Sequence, residues 1–85
     1  MAEEQEIGVI AHFFDKIGVA AINITDGQLS VGDTIRIKGH TTDAEATIDS
    51  MQIEHESVQT AKKGDAIGVK IGDKAREGDI VFKVV

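Results

Sequence analysis

Apolar side chains recur along this chain at every second position, in short runs separated by glycine-containing turns. That is the period of a pleated strand with one face buried, and no segment carries the sustained 3.6-residue stripe of an amphipathic helix. A first strand is predicted over about Gln5–Phe14, ending in a tight turn at Asp15-Lys16. A second, Ile17–Ile24, closes at Asp26-Gly27, where glycine can adopt positive φ. Leu29 and Val31 alternate before Gly32-Asp33, and Thr34–Lys38 forms a third strand with Ile35 and Ile37 on one face and Arg36 and Lys38 on the other. Gly39–Asp43 is a polar connection to a fourth strand over Ala44–Ile53. Val58–Ala61 is a short segment before Lys62-Lys63-Gly64, and Ala66–Ile71 and Ile80–Val84 are the last two strands, separated by a charged loop around Asp73–Gly78. Turn signals at roughly 8–12-residue spacing between short strands indicate an all-β barrel or sandwich. Its core is expected to contain Val19, Ile22, Leu29, Val31, Ile35, Ile37, Ile67, Val69 and Val81.

One motif recurs. Gly32-Asp33, Gly64-Asp65 and Gly78-Asp79 each precede an alternating strand. Glycine supplies an unusual backbone angle and aspartate caps nearby amides, so each pair reads as a turn rather than as one of three converging metal ligands. Phe13 and Phe14 are adjacent on the first strand and must point to opposite faces. One can fill the interior, and an exposed Phe14 beside His12 would mark a docking patch.

Composition narrows the class. The chain has 85 residues, enough for one domain, with residues 1–6 read as a flexible lead and 7–85 as the barrel. A chain of this length buries only about 60–65% of its unfolded surface. Ile, Val and Ala dominate its apolar set, as suits half-buried strands. There is no cysteine, so a disulfide framework and a thiolate metal site are excluded. Residues 1–6 lack the basic and apolar regions of a signal peptide, and no apolar run approaches the roughly 20 residues that span a bilayer; a cytoplasmic protein without a membrane partner is expected. Fifteen acidic against nine basic side chains give a net charge of −6, which repels DNA and RNA backbones, and Tyr and Trp for base stacking are absent.

Three histidines, His12, His40 and His55, lie apart in sequence with no His-x-x-x-His or similar pair, so no metal is expected. Ser50 with His55 and Asp49, or Ser57 with His40, could be drawn as a triad, but none sits in a Gly-x-Ser-x-Gly context. Lys62-Lys63 and Lys70-x-x-x-Lys74-x-Arg76 form a local basic stretch interrupted by Asp65, Asp73 and Glu77. It reads first as a solvated loop region and alternatively as a contact for RNA phosphates or an acidic partner.

Ile17-Gly18-Val19-Ala20, Asp26-Gly27 and the run Leu29-Ser30-Val31-Gly32-Asp33 through Gly39 resemble the barrel that follows the GTPase domain in translation elongation factors. Ser50-Met51-Gln52, Ala61 through Gly68 and Arg76 through Val81 extend the likeness over about Ile7 to Val84. Gly39-His40-Thr41-Thr42-Asp43 and Ser50 through His55 resemble small stand-alone elongation-factor-like proteins and a C-terminal domain of some collagenase-like peptidases. The resemblance implies a closed or nearly closed antiparallel Greek-key barrel of about six strands that holds RNA or a neighbouring domain. No Gly-x-x-x-x-Gly-Lys-Ser/Thr loop is present, so neither GTP binding nor any other cofactor is expected. In elongation factor Tu the matching segment grips the aminoacyl end of tRNA with an acid and an arginine; here those positions are Gln52 and His55.

The expected function is therefore a non-catalytic binding module for a protein or ribonucleoprotein partner linked to translation. Its alternatives are an accessory domain on a peptidase-like or RNA-modifying enzyme and, more remotely, a small hydrolase or metalloprotein. The expected partner surface combines Gln52, His55 and Phe14, with Lys62 and Lys63 supplying charge for any weak RNA contact.

Overall fold

The computed structural model describes residues 3–54, 56–71 and 74–84, and within them every regular element is a strand. In chain order these are β1 (Glu4–Phe14), β2 (Val19–Ile24), β3 (Gln28–Ser30), β4 (Thr34–Lys38), β5 (Asp43–Thr47), β6 (Met51–Ile53), β7 (Glu56–Val58), β8 (Thr60–Lys62), β9 (Ala66–Lys70) and β10 (Ile80–Val84). Eight of them form one antiparallel sheet in the order β5-β4-β10-β1-β2-β9-β6-β7, and β3 pairs with β8 as a separate ribbon. The sheet is not strictly closed. The ribbon bridges toward its open side, with Gly32 N–H donating to Ile48 O and Ile48 N–H to Asp33 O, both at 2.8 Å.

The expected six strands are present but subdivided. The single strand expected over Ala44–Ile53 breaks at 48–50, because Ile48 leaves the ladder to bond the ribbon and bury its side chain. β1 begins at Glu4, one residue before the expected Gln5. Glu4, Gln5 and Glu6, read as part of a flexible lead, face Val84, Lys83 and Phe82 on β10.

Seven of the nine expected core residues are buried, joined by Ile7, Ile10, Ile48, Met51 and others. Val19 and Val31 are only half-buried. Val19 alternates with the inward Ala20 and Ile22 and so must face outward, a parity that an apolar count overlooks. On β1 the parity itself changes. Ile7 is an extra residue against β10 and Ala11 an extra residue against β2. These bulges turn Ile7 and Ile10 inward together, then send His12 and Phe14 outward and Phe13 toward the core. Gly8 lies between them, where a Cβ would come within 2.5 Å of the Asn23 carbonyl oxygen.

The Gly-Asp pairs are one turn used three times. Gly32, Gly64 and Gly78 have φ of 97°, 96° and 88°, as the third position of a type II turn requires. In each, the aspartate N–H donates to the carbonyl three residues back, at 3.0 Å (Asp33 to Ser30), 2.9 Å (Asp65 to Lys62) and 3.1 Å (Asp79 to Arg76). The carboxylate returns the bond by accepting from the N–H of that same residue at 2.8–2.9 Å. All three carboxylates are thus engaged locally.

Candidate functional site

The site begins where β1 ends. Phe14 O accepts the N–H of Ile17 at 3.2 Å and of Gly18 at 2.9 Å, and Gly18 takes φ 66° to reverse the chain into β2. This tight reversal leaves Ile17 with no inward direction, and it stands 60% exposed beside Phe14 at 45%. They are the two exposed large apolar side chains among the described residues. His12 packs edge-on against Phe14 with ring centroids 4.5 Å apart, while its Nδ1 bonds Glu77 Oε1 at 2.7 Å. The imidazole therefore braces Phe14 against the loop before β10.

Phe14 and Ile17 border a groove of about 430 Å³ that runs over the outer faces of β2, β9 and β6. Val19, Ala21 and Gly68 form its low floor, and Gln52 and Glu54 edge its far side. The floor is low because each side chain there is small or absent: at Gly68 even a Cβ would only touch Val19 Cγ1 at 3.6 Å. Glu54 occupies φ 51° at the tip of the β6–β7 hairpin, where Ile53 pairs with Glu56.

Of the residues expected to bind a partner, the structure brings Phe14 and Gln52 to this groove. His55 lies outside the described residues. Lys62 and Lys63 do not line the groove; they sit at the end of β8 and its turn, where Lys63 N–H donates to Gly27 O at 3.1 Å. Sequence reasoning did not single out Ile17, Ala21 or Glu54 as site residues. Ile17 carried a usable signal, an Ile next to a turn glycine, whereas Glu54 carried none until the hairpin was known.

A second concavity of about 720 Å³ opens at the barrel mouth, where Lys74 and Arg76 of the expected basic stretch lie with Asp15 and Asp43. Among the described residues its opposed charges balance. Elsewhere, Arg36 reaches Glu4 at 3.1 Å, Asp43 at 3.6 Å and Glu45 at 3.8 Å, and Lys38 reaches Glu4 at 2.7 Å. The Lys38 hydrogen bond, reinforced by the charges of Lys38 and Arg36, holds the Glu4 carboxyl below its ordinary value of 4.5. Among the described residues no three His, Cys, Asp or Glu side chains converge as a metal site, and no helix is long and apolar enough to cross a membrane.

The chain is 46% identical over 78 residues to an uncharacterized protease of Methanocaldococcus jannaschii, a match covering 91% of this chain and 19% of that protein. A collagenase of Porphyromonas gingivalis is 31% identical over 78 residues, covering 91% of this chain and 22% of the collagenase. The chain thus spans about a fifth of the length of these relatives. Two crystal structures of the C-terminal domain of a Geobacillus thermoleovorans protein assigned to the U32 peptidases share the fold. They superpose with TM-scores of 0.84 and 0.85 at 12% and 13% identity, over 91% and 93% of this chain and 96% and 91% of theirs. Residues 18–81 match the family described as elongation factor Tu domain 2, and the chain belongs to that family.

Proposed function

We propose that this barrel is a non-catalytic docking module for a peptidase-type protein, held against the catalytic part of its partner rather than performing chemistry. The observation that carries the reading is the 46% identity to a segment filling about a fifth of a protease chain. That fraction matches one accessory domain beside a much larger remainder. The geometry is consistent with such a role: the carboxylates of the three Gly-Asp turns are engaged in their own loops, and the least self-satisfied surface is apolar. An expectation of work in translation rested on the barrel family alone, and a shared fold hosts many functions. The groove also departs from the tRNA-gripping pattern, with the neutral Gln52 in place of an acid and the lysine pair elsewhere.

The test is reconstitution. The Methanocaldococcus jannaschii protease, with its matching segment deleted and also intact, is mixed with this chain, and complex formation is followed by light scattering while peptide hydrolysis is assayed. A one-to-one complex with the deleted protease, weaker binding to the intact one, and no hydrolysis by the barrel alone are expected. Hydrolysis by the barrel alone, or preferential binding of ribosomes or tRNA over the protease, would overturn the reading.

A further inference from the structure

We propose that the groove over β2, β9 and β6 receives a cationic amphipathic helix from a protein partner, with Glu54 pairing its basic side chain. The inference deepens the docking role above and rests on it for the identity of the partner. Three observations carry it.

The first is where the apolar surface lies. Phe14 and Ile17, the two exposed large apolar side chains among the described residues, border the same groove. Their clustering is unusual for a chain with so little exposed apolar bulk, and such patches mark contact sites.

The second is backbone chemistry. β2 is paired on both sides by β1 and β9, β9 by β2 and β6, and β6 by β9 and β7. The floor therefore has no ladder to offer, and a strand laid on it would have its own N–H and C=O groups desolvated without partners. A helix satisfies its backbone internally and presents side chains three and four residues apart, the usual way to fill an apolar groove.

The third is Glu54. Among the described residues it is the one charged side chain lining the groove, on a chain of net charge −6, so a lysine or arginine is complementary and a phosphate is repelled. It is also the one non-glycine residue with positive φ among those described. A two-residue hairpin turn favours Asn, Asp or Gly at such a position. The side chain at that strained position is the one that reaches the groove edge, and strain of this kind clusters at binding sites.

The probes are a synthetic amphipathic peptide of roughly 12 residues with leucines on one face and lysines on the other, its twin with glutamates for lysines, and a single-stranded RNA of similar length. Each is titrated into the isotope-labelled chain and followed by amide NMR. The lysine peptide is expected to shift Phe14, Ile17, Val19, Glu54 and Gly68 and to bind at least tenfold more tightly than its twin. Ile17→Ser lowers that affinity by a similar factor. Glu54→Gly removes the preference for lysine without lowering the unfolding midpoint, whereas Asp49→Asn, an equal change of net charge away from the groove, preserves it. Equal binding of both peptides, shifts mapping elsewhere, tighter binding of the RNA, or loss of preference in Asp49→Asn as well would each overturn the proposal. A protease complex that forms but ignores Ile17→Ser and Glu54→Gly would keep the partner and reject the surface. Peptide selectivity without any protease complex would keep the surface and reject the partner.

Discussion

The sheet has two outward faces of opposite character. Over β4 and β5, with the start of β1, the outer side chains are mostly charged and mutually engaged: Arg36 lies among Glu4, Asp43 and Glu45, and Lys38 bonds Glu4 while its ammonium sits 5.4 Å from the Phe82 ring centre on neighbouring β10. Over β2, β9 and β6 the groove is floored by Val19, Ala21 and Gly68 and rimmed by Phe14 and Ile17, with Lys70 opposite Val19 at the end of β9. The strands are built alike, and both faces cover one continuous core. The difference teaches that the charged face is occupied with its own neighbours, whereas among the described residues no ion pair or side-chain hydrogen bond ties down the groove lining. Absence of internal partners, rather than the presence of charge, is what distinguishes the binding candidate.

The sharpest way to break this comparison is from beneath. Ile22 lies under the apolar face and Ile37 under the charged one, and both are fully buried. Truncation of either to alanine is expected to destabilise the fold by about 2–5 kcal/mol in urea unfolding. A large disparity between them would mean that the two halves do not share one core.

Arg36→Met tests the charged face directly. It removes the cation shared by three carboxylates but retains an unbranched stem against the sheet. Because these groups are partly solvated, the expected loss is only about 1 kcal/mol, diminishing in high salt. Glu54→Gly should act in the opposite direction, raising stability by up to about 1 kcal/mol as positive φ becomes unstrained. Ile17→Ser is expected to change unfolding stability by less than about 0.5 kcal/mol, since the side chain is already mostly in water. The two faces would then separate by sign: the substitution on the charged face lowers stability, and those on the groove face alter binding without lowering it.

The smallest effect is in acid. Glu4 has a folded-state pKa below its ordinary value of 4.5, so its contribution is fully present above that value and is lost as pH falls through the lower folded value. The unfolding midpoint of the native chain should therefore decline more steeply with acidification below pH 4.5 than that of Glu4→Gln. Parallel curves would show that the bond from Lys38 adds nothing to stability.

Much of the fold was legible because its signals are local. The strand Thr34–Lys38 and the strand Ile80–Val84 appear with the expected bounds, and the three Gly-Asp turns behave as the backbone preferences of glycine and the short reach of aspartate require. The necessity that Phe13 and Phe14 face opposite ways is likewise a property of any strand, and Phe14 is the exposed one of the two. What a sequence cannot express locally is which residue a neighbouring strand skips. The bulges at Ile7 and Ala11 exist only relative to β10 and β2, and they decide which side chains of β1 enter the core. The same holds for the groove. Phe14, Ile17, Gly68 and Glu54 are up to 54 positions apart (68 minus 14), and they meet only because β9 pairs with β2 and β6 with β9. The alternation of apolar residues determined that this protein would be a barrel of strands; the pairing of those strands decided which apolar residues were left outside it, because a surface is shared among elements and no single element encodes it.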